Sequence, residues 1–414
     1  MNTAKSLKGG CMPLIFLCWL AYSTSYLGKV DYSANISLVI EHYGISHAEA
    51  GLVSTMFFFA YGAGQIVNAF LVKHYNLRYM VFGALLTSGA VNLAVGLSQS
   101  FEIVKYLWVI NGIALSTLWP SLIRLLSESV PRREMSKATV AMGTTVAIGT
   151  FIIYGLSAIY ATFTDYRLAF YTAGAAMISV AFIWLFSVPS AQEAAKALPD
   201  DSPSITKELG VSSGVAARRI VILSCFTFAL FGVATNLIKD GLVTWVPSIL
   251  KEQYNLADSL SIVLTLALPL VSIFGNAFAV KMNKKIRDLV VLSTLCFTVG
   301  GIILGGIIAG LNQNLLVLIL IGFALVCFLA STSNSIITSI FPLYMKKELN
   351  SGFVAGILNG FCYLGSTISS YGLGAVADNH GWISVFYILL ATCAGVFVIG
   401  GIYLLIKTFI KRCA

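Results

Sequence analysis

Charge is scarce in this 414-residue chain: Asp, Glu, Lys and Arg make up 10% of it, where soluble domains carry about 25%. Such a sparse charge, set against 58% hydrophobic residues and a mean hydropathy of +0.87, excludes a water-soluble globule and defines an integral membrane protein. The formal net charge of +9 is no nucleic-acid footprint in such a context, and no nucleic-acid partner is expected. The eight cysteines form no C-x-x-C pair and fall mainly in apolar runs, so neither a disulfide framework nor a zinc site is expected. The four histidines, at 42, 47, 74 and 380, lie in predicted loops. A phosphate-cradling G-x-x-x-x-G-K-[ST] loop and an H-E-x-x-H helix are both missing, which points away from ATP hydrolysis, enzymatic chemistry and a resident cofactor or metal.

What is present is apolar length. A membrane helix needs about 20 mainly apolar residues, and twelve such runs are read at 11–39, 48–72, 79–98, 104–127, 137–161, 167–188, 219–249, 259–281, 289–309, 314–341, 350–376 and 382–408. Lys5 and Lys8 ahead of the first run imitate a signal peptide, but the run continues without a clear small-residue cleavage site and is read as a retained first span. Twenty of the 26 basic residues, from Lys5 to Arg412, fall at one set of span ends. The opposite set holds Lys105, Arg167 and Lys251, and Lys29, Arg124 and Lys239 lie inside spans. Positive loops face the cytoplasm, which places both termini there. The lipid bilayer is therefore the chain's solvent, in a plasma (inner) membrane setting.

One long polar loop, 189–218, separates six spans (1–188) from six (219–414). The two parts repeat: Asn68-Ala-Phe-Leu-Val-Lys73 returns as Asn276-Ala-Phe-Ala-Val-Lys281, 208 residues later, and Lys29 returns as Lys239, 210 residues later. An all-α membrane protein of two six-helix halves in parallel repeat has the major facilitator architecture, with a substrate site near the midplane between the halves.

An ionisable residue in the hydrocarbon region costs roughly 2.5–3.5 kcal/mol on insertion scales and usually faces a cavity and a partner. Lys29 and Lys239 are thus the first candidates. Tyr22, Tyr26 and Lys29 stand at i, i+4 and i+7 on one helical face, a polar wall able to bind an anion, and Asn236 lies one turn before Lys239. Asp31 and Asp240 offer another role for the lysines: cross-pairs Lys29–Asp240 and Asp31–Lys239 would gate the molecule, and an intramembrane carboxylate suits proton coupling. Arg124 reads as a snorkelling residue with Glu128 one turn on. Tyr61 with Gln65, and Asn359 with Tyr363, are further polar pairs at i, i+4.

Four stretches carry a family likeness: Tyr22 to Lys29, Ala60 to Gln65, Leu118-Trp-Pro-Ser-Leu-Ile-Arg124, and Leu237 through Trp245 and Pro247 to Glu252; a fifth runs from Ala355 to Gly365 and on to Trp382. In them the chain resembles the organophosphate:phosphate antiporters of the major facilitator superfamily. The resemblance implies a fold of twelve spans, phosphate or a proton as counter-ion, and a clamp for the substrate phosphate made by two arginines, whose positions Lys29 and Lys239 occupy. It also implies substrate contacts at Tyr22, Tyr26 and Tyr363, with structural parts for Trp119, Pro120, Trp245 and Pro247. The pattern departs where a basic position is Gln65, a histidine position falls near Val146 and a tyrosine position is Asn236; the Gly-x-x-x-Asp-Arg signature also loses its acid. Lys is a point charge where Arg is a bidentate fork, so a substrate less charged than a phosphate dianion fits these changes. The expectation is a monomeric secondary transporter of a small organic anion (organophosphate, phosphonate or carboxylate). Its rivals are a proton-coupled exporter of an amphiphilic or neutral compound and a transporter-like sensor.

Overall fold

The computed structural model describes residues 10–71, 74, 76–163, 165–197, 215–312, 315–344 and 351–412. Lys5, Lys8, Lys73, Lys207, Lys346 and Lys347, and most of the predicted 189–218 loop, lie outside them. The described residues are all-helical, without strands. In chain order the helices are α1 (Met12–Ala34), α2 (Ile36–Tyr43), α3 (His47–Leu71), α4 (Leu77–Leu97), α5 (Phe101–Ser116), α6 (Leu118–Ser129), α7 (Arg132–Ala161) and α8 (Arg167–Lys196), followed by α9 (Val215–Tyr254), α10 (Asp258–Thr265), α11 (Ala267–Asn283), α12 (Leu289–Asn312), α13 (Leu316–Ser335), α14 (Phe341–Tyr344) and α15 (Ser351–Arg412). A π-helical turn, Ile336–Ile340, joins α13 to α14.

Among the described residues ten stretches are long and apolar enough to cross a membrane; the last, Gly356–Ile410, is 55 residues long. Within it Gly381 has φ 75° and ψ 169°, a backbone shape that glycine adopts at no steric cost, where the predicted spans 350–376 and 382–408 divide. The surface is apolar, with Phe186, Ile302 and Leu405 more than 70% exposed. Ser88, Asn92, Asn111, Ser157, Thr235 and Ser366 are fully buried. A lipid-facing exterior over a partly polar interior reverses the arrangement of a soluble protein, as a bilayer solvent requires.

Three predicted spans break where the structure gives a reason. The 104–127 span parts at Thr117 and the 259–281 span at Leu266. Pro120 and Pro269 lack the N–H that would bond the carbonyls of Ser116 and Thr265, four residues back. The 11–39 span parts at Asn35, whose side-chain amide donates to Asp31 O (2.9 Å) and to Ser157 Oγ (2.8 Å). Conversely, α8 runs to Lys196 through Pro189, past the expected end at 188, because the carbonyl that this proline frees, Leu185 O, accepts from Arg78 Nε at 2.8 Å. Pro247 inside α9 is met the same way: the hydroxyl of Tyr154 on α7 donates to Val243 O at 3.2 Å. Each freed carbonyl has gained a side-chain donor, so these helices continue.

The packing follows the repeat. Shifting α3 by the 208-residue interval lands it on α10 and α11, and shifting α7 lands it on the first part of α15. The contacts of α3 with α15 and of α7 with α10 and α11 are therefore one interface made twice. The α3–α15 crossing is close: a methyl group on Gly51 would lie 2.1 Å from Ser370 O, and one on Gly374 2.7 Å from His47 O.

Candidate functional site

Lys29 sits in the second half of α1, and its turn of the helix is held from behind. The carbonyl of Gly28 accepts from Asn111 Nδ2 (2.7 Å) and Asn92 Nδ2 (3.3 Å), and Ser88 Oγ donates to Asn111 Oδ1 at 2.5 Å. Glycine leaves room for this approach: a methyl group at 28 would lie 2.6 Å from Asn92 Nδ2, itself one of the donors, and would have to displace the tip of Met177. The other side of the turn projects the lysine into an aromatic cage. Its Nζ is 3.9 Å from the ring centre of Tyr61, 4.9 Å from Tyr26, 5.2 Å from Tyr363 and 6.0 Å from Phe57. It donates to the Tyr363 hydroxyl at 3.3 Å. Ring faces carry negative charge density that attracts a cation, which is how an ammonium only 8% exposed is accommodated without a carboxylate in ion-pair contact.

Lys239, on α9, comes near the same cage: Asp240 and Tyr26 lie within electrostatic reach of both lysines. Its Nζ is 3.5 Å from Asp240 Oδ1. Asp240 Oδ2 accepts from Ser366 Oγ at 2.5 Å, and Asn236 Nδ2 donates to Ser366 Oγ at 3.1 Å. The side chains of Lys239 and Asp240 keep 24% and 19% exposure, so this pair lines open space while Lys29 is buried. Gln65 Nε2 donates to Tyr61 Oη (2.9 Å), and Gln65 Oε1 accepts from Asn359 Nδ2 (2.6 Å), a bond from α3 to α15. Tyr22 packs on Tyr26 (5.5 Å) and on Trp119 (4.7 Å).

The expected site residues Tyr22, Tyr26, Lys29, Gln65, Asn236, Lys239 and Tyr363 therefore converge on one region. Asp31 stands apart from the lysines. It is fully buried; its Oδ1 accepts from Tyr32 N at 2.9 Å and its Oδ2 has no hydrogen-bond partner. Arg124 Nε donates to Glu128 Oε1 at 2.6 Å, and Trp119 and Pro120 open α6 beside Tyr22. The cage walls Tyr61 and Phe57 were not assigned to the site from sequence, although Tyr61 and Gln65 at i, i+4 carried the signal. Ser366, an unremarkable serine, gave no signal.

A second cluster closes the predicted outer end, the one opposite the basic loops. Contrary to the loop expectation, His47 is the first residue of α3, and His42 and His380 lie in α2 and α15. The His47 ring lies between two carboxylates: Nδ1 is 2.6 Å from Asp378 Oδ1 and Nε2 is 2.7 Å from Glu252 Oε1. Asp378 also accepts from the backbone N–H groups of His47 (3.1 Å) and Ala48 (2.7 Å), and Glu252 Oε2 accepts from Trp382 Nε1 (2.8 Å). Trp245 and Trp382 flank the ring at 5.7 and 5.2 Å. Beside it Lys251 bonds Glu41 (2.8 Å) and Asp258 (3.1 Å); that contact holds the Glu41 carboxyl below the usual carboxylate range. Among the described residues toward the other end, the pairs Arg124–Glu128, Lys137–Glu134 and Lys407–Asp288 each join residues of one half.

A helical bundle doubled by an internal repeat, with a charged central site between the repeats and a latch across one end, defines a secondary transporter. The Major Facilitator Superfamily pattern matches residues 14–351, and the chain belongs to that superfamily, as a multi-pass membrane protein. It is similar to the membrane sensor protein UhpC of Escherichia coli (strain K12), at 21% identity over 400 residues, covering 92% of this chain and 89% of that one. It is similar to a probable hexose phosphate transport protein of Chlamydia pneumoniae, at 21% identity, covering 95% and 90%. Its fold matches the solved structure of a bacterial homolog to the human lysosomal transporter Spinster, in inward-facing and occupied conformation, with a TM-score of 0.70 at 13% identity and 96% of each chain covered.

Proposed function

We propose that this protein moves a small organic anion across the inner membrane by alternating access, with Lys29 and Lys239 binding the anionic group from opposite halves. The halves are 1–188 and 219–414, joined through the 189–218 segment, with twelve spans and both termini cytoplasmic. The reading rests above all on one observation: two lysines 210 residues apart, one from each repeat, share Tyr26 and Asp240 within electrostatic reach, and the space between them is read as the substrate chamber. An anion bound there draws both cations onto one charge and so favours closure around itself. A state latched through His47 at the predicted outer end is, on this reading, the one whose site is reached from the cytoplasm. The curated relatives named for hexose phosphate transport support an organophosphate, phosphonate or carboxylate cargo, exchanged for phosphate or coupled to a proton.

The test is uptake and counterflow of candidate anions in proteoliposomes. Lys29→Gln and Lys239→Gln are each expected to lower flux by 100-fold or more, on the order of the several kcal/mol carried by a desolvated charge contact. Undiminished anion flux in both variants overturns the reading. Two other readings have their own support. Asp31, wholly buried with a bare oxygen, suits proton coupling; a flux driven by a pH gradient with no counter-anion would favour it. The UhpC relative is named a membrane sensor; saturable anion binding without counterflow would favour a sensor.

A further inference from the structure

The two lysines differ in what neutralises them. Lys29 is surrounded by uncharged rings and the Tyr363 hydroxyl, whereas Lys239 has Asp240 at 3.5 Å. Asp240 is in turn fixed by Ser366, whose hydroxyl accepts from Asn236, so it does not swing away freely when cargo arrives. Two ammonium groups and one carboxylate share the chamber, leaving one net positive charge. The described phenols around it add hydrogen-bond donors and no charge.

Building on the anion-transport reading, we propose that Asp240 sets the charge of the cargo, and that the site takes singly charged oxyanions, carboxylates or sulfonates, in preference to phosphate-ester dianions. A monoanion brings the chamber to neutrality. A dianion leaves one negative charge unbalanced, beside a carboxylate that already occupies one face of Lys239. Selectivity comes from this repulsive element as much as from the two attractive ones. Asp240 is thus a specificity-determining residue, and the Ser366 hydroxyl positions it.

The experiment uses the full chain in detergent and in proteoliposomes at pH 8, with probes paired by size and differing in charge: acetate against malonate, dimethyl phosphate against methyl phosphate, and glycerate against glycerol 3-phosphate. Thermal stabilisation reports binding, and counterflow reports transport. The wild-type protein is expected to favour the monoanion of each pair by about tenfold or more. Asp240→Asn, which raises the chamber charge by one, is expected to reverse that order, and Asp240→Glu to keep it. Ser366→Ala, which removes the positioning bond together with the Asn236 bond behind it and leaves the charge unchanged, is expected to narrow the ratio without reversing it.

A wild-type preference for dianions overturns the inference, as does an Asp240→Asn variant with an unchanged ratio; either leaves the anion reading standing. If Asp240→Asn does not assemble, the wild-type ranking with the Ser366→Ala ratio decides. Response to neither class of probe, or equal response in Lys29→Gln and Lys239→Gln, overturns the anion reading itself and the inference with it.

Discussion

The surroundings of Lys29 and of Lys239 are the same position of the repeat solved in two ways. In the first copy the order is Lys29-Val-Asp31, in the second Lys239-Asp240. A shift of one residue is a turn of about 100° on a helix, and it sends the two acids to different places. Asp31 is fully buried away from its lysine, while Asp240 stays beside Lys239 and lines open space. Lys29 consequently relies on ring faces, and Lys239 on a carboxylate. One copy keeps a buried ammonium with no carboxylate in ion-pair contact, and the other keeps a more exposed one paired with an acid. Duplication supplied two cations; the placement of one acid decides how much charge they offer together.

The comparison breaks most visibly on removal of each cation. Lys239→Met strips Asp240 of its partner, and breaking a buried pair costs about 3–5 kcal/mol. Both side chains keep some exposure, so about 2–3 kcal/mol is expected here, read as a lower unfolding temperature in detergent. The double variant Lys239→Met with Asp240→Asn should regain most of it. Lys29→Met leaves no orphaned acid and forfeits only the ring contacts, each worth roughly 1–2 kcal/mol and offset by relief of a buried ammonium; its stability should stay within about 1 kcal/mol of wild type, with no rescue from Asp240→Asn. If the double variant is no more stable than Lys239→Met, the two environments do not differ as described.

Much of this was legible beforehand, for physical reasons. Span content, the repeat and the candidate lysines follow from hydropathy and spacing, because a bilayer forces long apolar helices and penalises every charge within them. Helix breaks and continuations were less legible, since they depend on distant donors: Pro189 reads as a stop until Arg78 supplies a donor to the carbonyl it frees, and Tyr154 does the same for Pro247 within its span. The cage around Lys29 draws Tyr61 and Phe57 from α3 and Tyr363 from α15, and no local pattern announces three helices meeting. His47 was misplaced for a related reason: a histidine at a helix start looks like a loop residue until Glu252 and Asp378 arrive from 205 and 331 residues away.

The central site and the outer latch differ in kind as well, and the latch yields the next effect. With both ring nitrogens on carboxylates, His47 completes both contacts only as an imidazolium; the neutral ring has a single N–H to donate. Spin labels at Glu102 and Asn379, both exposed, would follow the distance across this end. His47→Ala is expected to enlarge the separated population by about tenfold, in line with the loss of two charge-assisted contacts. In the wild type the closed population should fall as the pH rises and the ring loses its second proton, with Glu252 and Asp378 as acceptors, Trp245 and Trp382 flanking, and Lys251, Glu41 and Asp258 alongside. A closed fraction insensitive both to His47→Ala and to alkaline pH would show that the glycine-lined crossing of α3 and α15 holds this end by itself.

The smallest effect separates ring from hydroxyl in the Lys29 cage. Tyr61→Phe keeps the ring 3.9 Å from the ammonium and removes only the acceptor of the Gln65 bond, a loss of about 0.5–1.5 kcal/mol at most. Tyr61→Leu removes the ring face as well. If the face stabilises the cation, Phe should retain transport within about fivefold of wild type while Leu loses substantially more, and the difference should disappear when Lys29 is replaced by Gln. Equal losses for Phe and Leu would shift the weight from the ring to the Tyr61–Gln65–Asn359 chain. Lys29 would then owe its place to a hydrogen-bonded bridge between α3 and α15, and its contrast with the Ser366-anchored pair at Lys239 would shrink to a difference in charge alone.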